Sequence, residues 1–465
     1  MNKYEKLVMN SIVFAIGNFG SKFIGIIMVP LYTHVLSTNE YGEADLLITT
    51  ISLLLPILVL SIGQAVIRFS VSYSGENNRA QVYSNAMLIN IMGSIILMLF
   101  YPILHFTNVF GDLLLPFIIL MISRIFSDTL SQFSRGIGKI KEFAFNGILM
   151  TLITAGLNVY FLLFLKIGLS GYLLSMIIAN VISNIYLFLV VEGYKLFSVK
   201  NINQSLLNKM LSYSVPLIPN NIMWWLINGS TRYFILIFLG AGANGIFAVA
   251  NKIPSILSMA TNIFSQAWQL SAFEEYNTED KSKFYSTVFK NYYTIIFILA
   301  SGILIISKIL IINLVSTSFS TSWQIVPFLL LAAIYQSFSG FLGTNYTAAL
   351  NTKGIFSTSV YCALISVLLN VFLIPLIGIF GAGVGTCIAF FTMWIIRLHD
   401  TKKYVETKVN YKEFLMINIV FILQSVAMFI FDNYLLLITE TTLFIIMMFV
   451  LRVNLLNVLK AVKHK

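Results

Sequence analysis

Apolar residues in this chain do not alternate with polar ones. They run on for 20 residues or more, and short polar connectors separate the runs. About 20 apolar residues suffice to cross a bilayer as a helix, and no alternating, strand-like pattern competes. Backbone groups find no water in hydrocarbon, so helices, which satisfy their own backbone, are the elements these runs predict. Fourteen spans follow: 7–35, 43–70, 82–105, 113–136, 142–166, 169–193, 209–238, 243–272, 285–313, 322–350, 355–377, 379–398, 412–431 and 433–455. Several are longer than a crossing requires and must tilt, kink or protrude. The expected fold class is an all-α polytopic membrane protein.

Composition agrees. Of 465 residues, 58% are hydrophobic and 10% charged, against about 25% charged in soluble domains. The net charge of +11 would suggest nucleic acid in a soluble protein. Here 23 of the 29 Lys and Arg residues fall on the side of the N-terminus, only Lys166 and Lys308 on the other, and Lys22, Arg124, Arg232 and Lys252 within spans. That asymmetry predicts both termini in the cytoplasm and an even number of spans. No nucleic-acid partner is expected. The N-terminal run continues through Pro30, contains Lys22 and is followed by no small-residue cleavage site, so it is not read as a signal peptide. Cys362 and Cys387 lie inside apolar runs, and the four histidines show no ligand spacing, so neither disulfide, metal nor cofactor is expected.

A weak internal repeat is visible. Tyr41-Gly42 and Gln64-Ala65 in the first spans match Asn244-Gly245 and Gln266-Ala267, about 202–203 residues later. The interval is six spans, so the repeats run parallel. The expected organisation is a six-helix lobe over 1–200, a second over 201–400, and two extra helices with a basic tail over 401–465. Repeats of this kind in transporters place the substrate site near mid-membrane. Pro30, Pro56, Pro219 and Pro254 fall within the spans that carry the repeat, where a missing backbone donor lets a helix bend.

Charges within spans are costly, ~2.5–3.5 kcal/mol each on insertion scales, and mark candidate sites. Lys22 lies midway along the first span, Arg124 near the middle of the fourth, Arg232 in the seventh and Lys252 in the eighth; Arg68 closes the second. Asp128 reads as the only deep acid. It stands four residues from Arg124 and on its face, so the two are expected either to neutralise each other or to leave Asp128 as a coupling carboxylate. The balance is positive, which suits an anionic substrate; the arginine fork pairs phosphate oxygens, whereas lysine acts as a point charge. Asn221, Trp224, Trp225 and Asn228, with Gln64, Gln266, Trp268 and Gln269, offer amides and rings suited to sugar hydroxyls and sugar faces. Each also fits a packing role between helices.

The stretch Pro30-Leu-Tyr-Thr-His-Val-Leu-Ser-Thr-Asn-Glu-Tyr-Gly42, with Ala44-Asp45-Leu46 after it, resembles the start of the bacterial polysaccharide flippases of the Wzx or RfbX type. These belong to the multidrug/oligosaccharidyl-lipid/polysaccharide exporter superfamily. The resemblance implies movement of an undecaprenyl-pyrophosphate-linked oligosaccharide repeat unit from the cytoplasmic to the outer leaflet, for capsule, exopolysaccharide or O-antigen. It implies a cationic cavity between two lobes, for which Lys22, Arg68, Arg124, Arg232 and Lys252 are the matching candidates. It also implies membrane lipids, a polysaccharide polymerase and chain-length machinery as partners.

Rival functions are weighed by charge and loop length. A drug–cation antiporter of the same superfamily would place carboxylates where this chain places cations. A lipid II flippase would share the pyrophosphate lipid, and sequence does not separate it. A membrane polymerase, an enzyme, would carry a large external loop, whereas the outward loops here span at most about eight residues. No nucleophile–base constellation or phosphate-cradling loop is present; Gly381-Ala-Gly-Val-Gly385 opens a span and reads as a helix-packing stripe.

Overall fold

A computed structural model describes residues 23–72, 75–108, 110–349 and 351–463. Every regular element among them is helical. Eleven helices are long and apolar enough to span a membrane, or twelve if Gln204–Asn228 and Ser230–Leu239 form one bent span. The protein is a multi-pass membrane protein. Packing divides it into two compact units, separated between Trp225 and Leu226.

Unit 1 opens with α1 (Phe23–Val35) and α2 (Thr38–Leu58). The start of α2 is fixed by a capping box. The Glu40 amide donates to the Ser37 hydroxyl at 3.2 Å, and the Ser37 amide donates to the Glu40 carboxylate at 2.8 Å. The next residue, Tyr41, is buried in a ring cluster with Tyr32 and Tyr172, whose centroids are 5.0 Å apart. Asn158 donates to the Tyr32 hydroxyl at 3.0 Å and accepts from Ser175 at 2.7 Å. The Glu-Tyr-Gly stretch that carries the family resemblance is therefore a cap followed by a packing corner.

The second expected span, 43–70, is broken. After Pro56, Leu60 and Ser61 take positive φ angles of 50° and 51°, and α3 (Ile62–Ser72) starts afresh. Proline cannot donate to the preceding turn, and two non-glycine residues in the left-handed region cost ~1–3 kcal/mol each. The strain is held from outside: Asn221 donates to the Ser61 hydroxyl at 3.2 Å, and the Trp225 indole donates to the Thr49 carbonyl at 2.9 Å. The unit continues with α4 (Glu76–Thr107), α5 (Leu114–Gly136), α6 (Ile140–Val159), α7 (Gly168–Val190), α8 (Gln204–Ser214) and most of α9 (Ile218–Asn228), whose last three residues belong to unit 2. Its core joins α3, α4, α5 and α8 around Val66, Tyr83, Phe133 and Met210, all fully buried.

Unit 2 contains α10 (Ser230–Leu239), α11 (Ala241–Ala250), α12 (Lys252–Glu275), α13 (Lys281–Leu314), α14 (Val326–Ala348), α15 (Thr352–Ile377), α16 (Ile379–Asp400), α17 (Tyr411–Ile430) and α18 (Asn433–Lys463). Here the expected eighth span, 243–272, also divides, at Asn251, and its longer part is too polar to count as a crossing helix by composition. The expected first span lies largely outside the described residues. These segments account for most of the gap between the fourteen expected spans and the eleven or twelve observed. All four prolines singled out from sequence stand at or near an irregularity: Pro30 after Met28, Pro56 before the break of α2, Pro219 at the start of α9 and Pro254 at the start of α12.

The glycine stripe at 381–385 is a packing surface. A Cβ on Gly381 would lie 2.3 Å from the Leu373 carbonyl oxygen of α15, and one on Gly383 would lie 3.0 Å from Phe328 of α14. Gly381→Ala is therefore expected to push backbone apart and lower stability by about 1–3 kcal/mol, read as a fall in the unfolding midpoint in detergent. Ser37→Ala, which removes one capping acceptor, should cost about 1 kcal/mol in the same measurement.

Candidate functional site

In unit 1, Arg124 stands ten residues into α5, about 15 Å along the helix and so near mid-span. It lines a cavity of about 150 Å3 walled by α1, α6 and α7, where Ile24, Met28, Tyr32, Thr151, Thr154 and Asn180 meet it. At ~30 Å3 per water the space holds about five waters, or one small anionic group. Thr151 and Thr154 spend their protons on the carbonyls of Gly147 and Met150, at 2.8 and 2.7 Å. The Asn180 amide nitrogen is spent on Met176 at 2.7 Å, and its Oδ1 has no partner among the described residues. Among those residues none forms an ion pair or hydrogen bond with Arg124, so the cavity is where its charge must be met.

Asp128 is not the counter-ion of Arg124. No ion pair joins the two among the described residues. Arg135 donates to Gln132 at 3.1 Å and lies over the Phe143 ring. Residues 128, 132 and 135 share one face of α5 by their spacing. The Asp128 carboxylate rests on Gly63, where a Cβ would come within 2.2 Å of Oδ2. The four-residue spacing put Arg124 and Asp128 on one face but could not say which neighbour each would turn to.

Unit 2 has its own small polar cavity, of about 60 Å3. Asn228, Thr231, Asn251, Ser258, Gln336 and Thr386 line it. Gln336 donates to the Asn228 amide oxygen at 3.2 Å, and Asn370 donates to the Thr231 hydroxyl at 3.0 Å. Arg232 stands beside this site: it donates to the Asn228 carbonyl at 2.9 Å and covers the Phe247 ring.

The other expected site residues are scattered. Lys22 lies outside the described residues. Gln64 and Arg68 are exposed, four residues apart, on one face of α3, and Lys252 begins α12. Asn221 and Trp225, expected as sugar contacts, spend donors within unit 1 as described above. Trp224 is half-buried and Gln266 is exposed. Trp268 is core: it stacks on Phe341 at 4.3 Å and its indole donates to the Phe341 carbonyl at 3.4 Å.

Three charged groups escaped the reading of the sequence. Arg397, counted with the loop cations, is buried in α16; it donates to the Thr358 and Ser359 hydroxyls at 3.0 and 3.2 Å and to the Ser339 carbonyl at 2.7 Å. Lys308 is buried at the end of α17, donating to the carbonyls of Met428 and Phe431 at 2.5 and 3.0 Å, paired with Asp432 at 2.8 Å and seated over Trp323. Glu440 is fully buried seven residues into α18, so Asp128, read from sequence as the only deep acid, is not alone. Each closes an apolar run or sits just inside one, where run length alone cannot separate a rim charge from a core one.

Comparisons with known proteins bear on what these cavities serve. Residues 7–269 match the model of a family described as polysaccharide biosynthesis protein. No curated protein matches the chain. Among solved structures, the lipid II flippase MurJ in an inward closed conformation is similar with a TM-score of 0.69 at 15% identity, over 95% of this chain and 99% of that one. An inward-facing multidrug resistance MATE family transporter of the MOP superfamily gives 0.67 at 12% identity, over 86% and 100%. A Vibrio cholerae MATE transporter gives 0.60 at 13%, over 86% and 96%. At these identities the likeness is one of fold.

The contrast between Arg397 and Arg124 is measurable. Arg397→Leu strands a carbonyl and two hydroxyls in a dry core and should cost ~3 kcal/mol or more. Arg124→Leu borders an open cavity rather than a packed core and should leave the unfolding midpoint nearly unchanged. Equal losses would mean that Arg124, too, is a packing residue.

Proposed function

This chain belongs to the polysaccharide biosynthesis protein family, and we propose that it is a flippase for a polyprenyl-pyrophosphate-linked oligosaccharide. The observation that carries the reading is Arg124: a guanidinium at mid-span depth, facing a cavity with no carboxylate in its lining. Hydrocarbon repels both a sugar and a phosphate, and a transporter of such a head group must offer it polar company on the way. A guanidinium fork is matched to phosphate oxygens. Arg232, next to a cavity of amides and hydroxyls, would supply a second cation beside groups able to bond sugar hydroxyls. Lys22, Arg68 and Lys252 remain candidates in the same role, and the parallel repeat remains part of this reading.

The proposed mechanism is alternating access. The head group enters from the cytoplasmic face while the lipid tail stays in the bilayer, and a rearrangement opens the polar path to the other face. With both termini in the cytoplasm and the cell interior negative, outward movement of net negative charge is favoured by ~2.3 kcal/mol per charge per 100 mV. A drug–cation antiporter fits less well, because the deep carboxylates, Asp128 and Glu440, lie outside both cavity linings while the cation Arg124 lies inside one.

Export of polysaccharide in cells, or flipping of a polyprenyl-pyrophosphate oligosaccharide in proteoliposomes, tests the reading. Arg124→Ala and Arg232→Ala should each lower the rate at least tenfold with normal membrane insertion, and Arg124→Lys should recover part of it. Lys22→Ala and Lys252→Ala are expected to act in the same direction. Undiminished transport by an Arg124→Ala/Arg232→Ala double variant would overturn the proposal. Full rescue of a strain lacking its lipid II flippase, without export of other glycans, would reassign the cargo.

A further inference from the structure

Unit 1 holds a second, quite different cavity. It is an apolar groove of about 540 Å3 between α4, α5 and α7. It runs from Tyr83 to Ile91 on α4, from Ile119 to Leu130 on α5 and from Val181 to Phe188 on α7. At helical rise these stretches measure about 12, 16 and 10 Å. The hydrocarbon core is ~30 Å thick, so the groove is one leaflet long. It opens through Ile91, Ile119 and Ile185, all exposed at the depth of the spans, where the medium is hydrocarbon.

One end of the groove is finished differently from the other. Phe188 lies two residues before α7 ends, and the chain there turns through Gly193. A Cβ on Gly193 would fall 2.5 Å from both the Tyr83 hydroxyl and the Phe188 ring, so the missing side chain lets these two close the groove. Around this end stand cations. Lys139 donates to the Val190 carbonyl, Lys195 is exposed and ion-paired with Glu192 at 2.5 Å, and Arg79 precedes Tyr83 by four residues on the same face of α4. The Arg79 Nε and the Tyr83 hydroxyl are both buried, and neither has a hydrogen-bond partner among the described residues. Buried donors are seldom left so. Two idle donors and two ammonium groups at the head of a one-leaflet apolar slot are complementary to a phosphate or ester group on a hydrocarbon chain.

We propose that this groove is a binding site for an anionic glycerophospholipid of the leaflet at the basic face, with one acyl chain between α4, α5 and α7 and its phosphate at Arg79, Lys139 and Lys195. The length selects the occupant. An acyl chain spans one leaflet, whereas the polyprenyl chain of the proposed cargo is several times longer and would overrun the slot. The site is distinct from the Arg124 cavity, whose lining shares no residue with it, and the proposal stands whether or not the chain is a flippase.

The full-length protein in phosphatidylcholine nanodiscs, exposed to phosphatidylglycerol carrying a photoreactive acyl chain, provides the test. Crosslinks should concentrate on the peptides containing Met87–Ile91 and Ile119–Phe126. Unlabelled phosphatidylglycerol should suppress them several-fold, and phosphatidylcholine should not. Ile122→Trp, which fills the groove, and Arg79→Gln with Lys139→Gln, which leaves it open, should each reduce labelling several-fold; the second pair keeps the test valid if the tryptophan disturbs folding. Labelling spread evenly over all lipid-facing helices, or equal competition by phosphatidylcholine, would overturn the proposal. Stronger displacement by undecaprenyl phosphate than by phosphatidylglycerol would overturn the choice of occupant.

Discussion

Hydrocarbon offers no hydrogen bonds, and every polar decision in this molecule follows from that. A charge carried into the bilayer must be met by the protein or by enclosed water. Lys308 is met by two helix-end carbonyls and an aspartate, and Arg397 by two hydroxyls and a carbonyl. The Asp128 carboxylate is packed on Gly63 of α3. These groups are settled, and their role is to join helices. Arg124 differs in kind, because its surroundings leave room for molecules that are not part of the chain. The line between architecture and function in a membrane protein is drawn by which cations the fold itself satisfies.

The two broken helices show the same logic applied to the backbone. A turn such as Leu60–Ser61 frees backbone groups from the helical ladder, which hydrocarbon would punish. The Ser61 amide still reaches the Pro56 carbonyl at 2.8 Å, and Asn221 and Trp225 bring side-chain donors to the neighbourhood. A cluster of amides and indoles on one helix therefore does what a sugar site would also need, which is to present donors inside the membrane. Sequence shows the donors but not which acceptor claims them.

That ambiguity sets the limit of what the chain's letters reveal. The helical class, the membrane and most spans were legible, because run length and apolarity are written directly in the sequence. Arg124 was legible for the same reason, a cation in the middle of an apolar run. Its partner was not: Asp128, on the same face by spacing, makes no ion pair with it and packs on Gly63 of α3. Arg397 and Glu440 were misjudged because a charge a few residues from the end of a run can point either way. The Glu40-Tyr41-Gly42 stretch was recognised, yet the features that make it recognisable are a helix cap and a buried ring. Such a signature identifies a scaffold and says nothing of cargo.

The last two helices look like an appendix when spans are counted in sixes. The bonds of α13 and α14 say otherwise. Tyr293 donates to Glu413 at 2.8 Å, Ser301 to Gln424 at 2.6 Å and Tyr335 to Asn418 at 2.7 Å, and the corner between α17 and α18 supplies both hydrogen bonds and the ion pair described for the Lys308 ammonium. A shortened version ending before residue 411 would leave that ammonium bare in oil and a row of hydroxyls and amides unpaired along two helices. The pair is therefore a working part of the core of unit 2, bonded into the helices beneath it.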